Sequence, residues 1–281
     1  MAMFQRQNLG QLLGGTGSLL KQLPWYFPAT LSEQPHIFVV GAPRSGTTLV
    51  KLILNVHPNL SGPGYETGFF MFKHLSNLLL GKNDPSRQKL QTNTPDIVQA
   101  FDRFSQQRLK ETGGQRFIEK TPPHVLRLPF LLKHFPKAQF INVFRDGRDC
   151  YCSARHHAYV TQGQSIETYA RYWRRCLRSR FRQGEHPRIL DVKYEDLVTN
   201  AESAVRGIMA FLAEEFEERQ LDPRCYSQNT ITRSKRQEFS KLSQPISPSS
   251  MNRWQKEMTA AEIERFEKIA GQELRRLGYR S

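Results

Sequence analysis

The chain has 281 residues, 38% of them hydrophobic, with 41 Lys and Arg against 26 Asp and Glu, a formal net charge of +15. That length gives one large α/β domain a full core, and no apolar stretch nears the ~20 residues that a membrane-spanning helix needs. The positive excess favours anionic partners (nucleotide, nucleic acid, membrane surface or acidic substrate), although a solvated basic surface has the same composition.

Residues 1–34 read as an irregular arm. Gly14, Gly15 and Gly17 interrupt its leucines, so no secretion-signal core forms and a cytoplasmic protein is expected. The arm carries the pair Trp25-Tyr26, suited to docking on the body. Residues 35–281 read as a single domain. An apolar strand at 36–40 leads into a helix from Gly46 to about Val56, with Leu49, Val50, Ile53 and Leu54 at helical spacing. A Gly- and Pro-rich loop at 59–67 precedes a second apolar helix reaching about Leu80. Thr94 is placed to cap a helix that starts at Pro95 and stops at Gly113-Gly114. A strand at 116–119, a helix at 124–134 and a strand at 139–144 follow, and Arg145–Asp149 opens another helix. The helix 165–182 turns Ala170, Trp173, Leu177 and Phe181 inward and presents Arg171, Arg174, Arg175, Arg178 and Arg182 outward. That face reads as solvated or as a landing strip for an anionic acceptor. A strand at 189–194 and helices at 201–212 and 260–277 complete the chain.

Strands separated by helices, with no hairpin signals, predict a three-layer α/β fold with a parallel central sheet. Ligands then bind outside the carboxyl ends of the strands. Three of the four expected strands end in charged or glycine-rich segments, at 41–48, 119–123 and 145–149, which a parallel sheet gathers on one rim. Cys150, Cys152, Cys176 and Cys225 form no C-x-x-C pair, so reduced thiols and no metal site are expected.

Gly41 to Thr48 has the strand–loop–helix layout of a phosphate cradle, in which loop amides and the helix dipole attract an anion. The frame is that of nucleotide-binding loops of the G-x-x-x-x-G-K-[ST] type, except that Thr47 stands at the lysine position. Arg44, Ser45, Thr47 and Thr48 supply the polar side chains. A second candidate grip joins Arg145, at a strand end, to Ser153 on the next helix. Together the two grips imply a nucleotide with two separated phosphates.

These segments resemble the sulfotransferases that use 3′-phosphoadenosine 5′-phosphosulfate (PAPS). The sequence F-V-V-G-A-P-R-S-G-T-T is similar to their 5′-phosphosulfate loop, and V-F-R-D-G-R-D-C-Y-C-S to their 3′-phosphate strand and helix. F-I-E-K-T-P-P resembles a segment of carbohydrate sulfotransferases, and H-P-N-L-S-G-P-G-Y-E-T the base-bearing segment of protein-tyrosine sulfotransferases. The similarity runs from Phe38 to Tyr194, and Arg253-Trp254 and Leu277-Gly278-Tyr279 resemble the family's C-terminal end.

The resemblance implies a P-loop fold, PAPS as donor, PAP as product and no metal. It implies that Pro43, Arg44, Ser45, Gly46, Thr47 and Thr48 hold the 5′ side. Arg145, Ser153 and Arg253 would then hold the 3′-phosphate, with Tyr194 near the adenine. Lys120 and Arg44 would stabilise the charge developing in sulfuryl transfer. Glu66 would be the general base, with His124 in reserve. Tyr65 departs from the relatives, which carry a second acid there, and the loop is one residue longer. The implied acceptor is an alcohol, phenol or sugar hydroxyl on a small molecule, saccharide or peptide, its pocket drawn from 62–110, 155–165 and 225–250. A small-molecule kinase on the same scaffold and a basic nucleic-acid-binding protein are the rival readings. Thr47 and the second phosphate grip weigh against the first, and the lack of nucleic-acid-binding motifs against the second.

Overall fold

The computed structural model describes residues 23–71, 94–157, 159–226 and 246–279. Its elements in chain order are β1 (Ile37–Gly41), α1 (Thr47–Leu54), β2 (Leu60–Ser61), α2 (Ile97–Thr112), β3 (Arg116–Lys120), α3 (Leu128–His134), β4 (Gln139–Phe144), α4 (Gly147–Ala154), α5 (Ile166–Phe181), β5 (Ile189–Lys193), α6 (Tyr194–Thr199), α7 (Ala201–Leu212), α8 (Trp254–Glu257) and α9 (Ala260–Arg276).

The sheet has five strands in the order β2-β3-β1-β4-β5, all paired in parallel. The three-layer expectation therefore holds. Pairing of Val39 with Lys120, Gly41 with Val143 and Phe144 with Lys193 brings the carboxyl ends to one rim. Each strand side chain alternates between two apolar layers. Phe38, Val40 and Phe140 pack with α2, α5 and α9, and Ile37, Val39, Ile141 and Val143 pack with α1 and α7.

Several boundaries differ from those read in the sequence. The edge strand β2 is two residues long, too short for an alternating pattern to register. Asp96, not Thr94, caps α2: its carboxylate accepts from the Val98 and Gln99 amides, while Thr94 accepts from the Trp25 indole at 3.3 Å. Asp96 wins because a carboxylate sits better than a hydroxyl at the positive end of the helix. That Trp25 contact, with Tyr26 buried, docks the described part of the arm as expected. The stretch expected as one helix at 124–134 is a 3-10 turn from Pro122 to Arg127 followed by α3. The proline pair tightens its start. The helix expected up to Leu80 lies from residue 72 onward outside the described residues. The basic face of α5 is only partly outward. Arg174 donates to the Ile269 carbonyl at 2.8 Å and Arg178 pairs with Glu273 at 2.6 Å, because α9 packs along that side.

Candidate functional site

At the carboxyl end of β1 the chain turns through Pro43, Arg44 and Ser45 into α1. Gly46 takes φ 103°, and a Cβ there would lie 2.4 Å from the Tyr194 ring, so this close approach requires glycine. No side chain caps α1, which leaves its first amides directed at the rim. Arg44 is held at φ 72°, a left-handed conformation costing about 1–3 kcal/mol in a non-glycine residue. Its Nε donates to Ser153 Oγ at 3.0 Å. The two grips read separately in the sequence are thus in contact. The Tyr169 hydroxyl donates to the Pro43 carbonyl and anchors the loop from α5.

The second grip is built at the end of β4. The Arg145 guanidinium lies 4.4 Å from the centre of the Tyr194 ring, 3.4 Å from Asp149, and donates to the Ser250 carbonyl. Tyr194 is the first residue of α6 rather than the last of β5, which turns its ring across the rim between Gly46 and Arg145. Arg253 does not touch Arg145 through any described contact and pairs with Glu257 at 2.7 Å. The backbone around it does reach the grip: Asp149 accepts from the amides of Asn252 at 2.9 Å and Trp254 at 3.0 Å. Arg148 stacks on Trp254 at 3.7 Å while pairing with Asp146 and Glu267. Burial pushes the Asp149 carboxyl up, against the pull of Arg145.

Lys120, the last residue of β3, points to the same rim. Its Nζ is 2.6 Å from Glu66 Oε1 and 3.3 Å from Thr48 Oγ1. The two residues expected to act on the reacting groups therefore meet beside the helix start. His124 does not join them. It is fully buried, its Nε2 accepts from the Phe70 amide at 3.2 Å, and burial holds its pKa down to about 3.

A model of the sulfotransferase family matches residues 35–218. The chain belongs to that family. Protein-tyrosine sulfotransferase 1 of Danio rerio is 28% identical over 195 residues, covering 64% of this chain and 53% of the relative. The chain thus spans about half the length of that curated relative. Among solved structures, the sulfotransferase domain from the Synechococcus PCC 7002 olefin synthase superposes with a TM-score of 0.59 at 23% identity, covering 86% of this chain and 97% of that one. Mouse sulfotransferase SULT7A1, solved in complex with PAP, superposes with a TM-score of 0.52 at 14% identity, covering 91% and 89%. Both carry the same fold.

The donor nucleotide of this sulfotransferase family fits the residues present. Ser45 Oγ in the loop and Arg145 Nε in the second grip are buried and lack a hydrogen-bond partner among the described residues. Both are polar atoms that an anion would satisfy. No group of residues able to hold a metal occurs among the described residues, and no described helix is long and apolar enough to cross a membrane. Three contributors escaped the sequence reading. Asp149 was seen only as part of R-D-G-R-D, although its spacing from Arg145 on a helix start was a usable signal. Tyr169 and the Ser250 carbonyl gave none, because their roles come from contacts more than 100 residues away in sequence.

Proposed function

We propose that the protein transfers a sulfuryl group from PAPS to a hydroxyl acceptor and releases PAP. The observation that supports this best is the gathering, on one rim, of two linked phosphate grips and a Lys120–Glu66 pair. PAPS, when bound, supplies the activated sulfuryl group and a phosphate leaving group. On this reading the α1 amides with Pro43, Ser45, Gly46, Thr47 and Thr48 hold the 5′ side, and Arg145, Ser153 and Arg253 hold the 3′-phosphate. Tyr194, already fixed between Gly46 and Arg145, flanks the nucleotide. Lys120 and Arg44 concentrate positive charge where the leaving oxygen becomes negative, a stabilisation that needs no reorganisation because β3 and the loop already fix both groups. Glu66 takes the acceptor's proton. The burial of His124 and the engagement of its Nε2 favour Glu66 over it.

The acceptor proposed first is a peptide tyrosine, after the named activity of the Danio rerio relative. Small phenols, alcohols and sugars are the wider class. A cytoplasmic location belongs to the same proposal; the free cysteines, Cys150, Cys152 and Cys176 buried and Cys225 exposed, fit it. We also treat 35–281 as one domain with 1–34 as its arm.

The experiment is thermal stability with PAP, PAPS, ADP and ATP–Mg²⁺ in parallel, followed by transfer of labelled sulfate from PAPS to a panel of tyrosine peptides, phenols and sugars. A rise in Tm with PAP and PAPS, by mass action on the native state, together with a labelled product, is the expected result. A rise with ATP–Mg²⁺ and none with PAP would overturn the reading in favour of a kinase.

A further inference from the structure

Glu66 lies in a stretch, from Gly62 to Met71, that contains no regular helix or strand. Its position therefore rests on individual contacts rather than on a hydrogen-bonded ladder. Three are made by buried polar side chains. Lys51, in the middle of α1, donates to the Pro63 carbonyl. Thr121 Oγ1 accepts from the Gly68 amide at 3.1 Å, and His124 Nε2 accepts from the Phe70 amide at 3.2 Å. Fully buried Glu119 stands behind the last two. It accepts the Thr121 hydroxyl proton at 2.6 Å, lies 3.7 Å from His124 Nδ1 and interacts with Thr67.

The donor and acceptor roles interlock. A hydroxyl has one proton. Because Thr121 gives its proton to Glu119, its lone pairs face Gly68. Because His124 accepts at Nε2, its proton sits on Nδ1, on the side of Glu119. The bond to Glu119 locks Thr121 in the arrangement that can receive the Gly68 amide, whereas His124 Nδ1 makes no hydrogen bond among the described residues and His124 is held by its burial and its Nε2 contact. Lys120 and Glu119 are neighbours on β3 and point to opposite sides. The strand that presents the cation to the rim thus also carries, on its other face, the carboxyl group that orders the Thr121 tether.

We propose that Thr121, oriented by Glu119, and the buried His124 are positioning residues for the base: they set the height of the Glu66 carboxylate over the rim. The inference rests on Glu66 being that base. The gripping contacts at Arg44, Arg145 and Ser153 do not involve these residues, so their loss acts on turnover and leaves nucleotide binding alone. Displacing a reacting group by about 1 Å costs up to ~100-fold in rate, so loss of one tether is read as about tenfold in kcat.

The test is a cycle of Thr121→Val, Glu66→Gln and the double variant, using PAPS and the acceptor that the panel selects. Thr121→Val keeps the shape and removes the hydroxyl. The expected result is a kcat about tenfold lower with an unchanged KM for PAPS and an unchanged PAP-induced rise in Tm. Thr121→Ser restores kcat, and Thr121→Val adds nothing on top of Glu66→Gln. His124→Leu repeats the loss and His124→Gln, which returns an acceptor near Nε2, recovers part of it. Faster amide exchange across 66–71 in PAP-bound Thr121→Val is a readout that needs no acceptor. An unchanged kcat in Thr121→Val, or the same loss with and without Glu66, overturns the positioning role and leaves the base assignment standing. Undiminished turnover in Glu66→Gln removes the base assignment, and the positioning role goes with it.

Discussion

Around the phosphate grips the anion-directed groups are backbone amides and strand-end arginines, fixed wherever β1, α1 and β4 form. Around Glu66 the order comes instead from side chains reaching an irregular segment from α1, β3 and the turn after it. The first region is determined by the fold, so on the proposed reading substitutions of its anion-directed side chains are expected to move affinity more than rate. The second is determined by a few buried polar contacts, so on the same reading substitutions there are expected to move rate.

The sharpest test of that contrast is Glu66→Gln. Loss of a general base is expected to lower kcat by about 10²–10⁴-fold while PAP still raises Tm as in the parent protein. Weaker PAP binding in that variant would erase the distinction between the regions. The converse variant is Arg145→Ala, which removes a guanidinium buried between Tyr194 and Asp149. Weaker PAP binding by about 1.5–3 kcal/mol, measured by calorimetry, is expected with a much smaller change in kcat at saturating PAPS. Asp149→Ala is expected to act more gently on the same region. It strips the acceptor from two backbone amides at 252 and 254 and lowers stability by about 1–3 kcal/mol in denaturant unfolding, with weaker PAP binding as the secondary effect.

A smaller effect reads the other region through pH. Burial lowers the pKa of Lys51 from 10.5 to about 7 and raises that of Glu119 from 4.5 to about 7. Between pH 7 and 10.5 the unfolded chain holds more protons at Lys51 than the folded one, so stability from this group rises with pH there and is lost as pH falls through about 7. Glu119 works in the opposite sense: its contribution is full below pH 4.5 and is lost as pH rises through about 7. Denaturant midpoints followed from pH 7 to 10 are expected to climb less steeply in Lys51→Met than in the parent. Equal slopes would mean that Lys51 is not carrying that proton balance.

The sequence largely foreshadows how the gripping residues gather on one rim. Gly41, Gly46, Arg44, Arg145 and Ser153 stand in short motifs whose chemistry follows from strand-to-helix geometry, and parallel pairing then gathers them. The contact of Arg44 with Ser153 was not legible, since it depends on how α4 leans against the loop 109 residues earlier. His124 shows the opposite failure. A histidine four residues after Lys120 suggested a base, but the Pro122-Pro123 turn swings it into the core, where it serves a backbone amide. Arg253 was placed by resemblance toward the 3′-phosphate. Its own partner is Glu257, and the neighbouring backbone makes the described contacts with the Arg145–Asp149 corner.

The clasp between Asp149 and the Trp254 amide spans 105 residues. A ribosome adding roughly 5–20 residues per second needs about 5–20 s to make that stretch. During this interval the sheet and loop can assemble while Asp149, destined for a dry corner, still faces water. The Arg145–Asp149 corner therefore closes only after every strand of the sheet has been made, and α9 follows it.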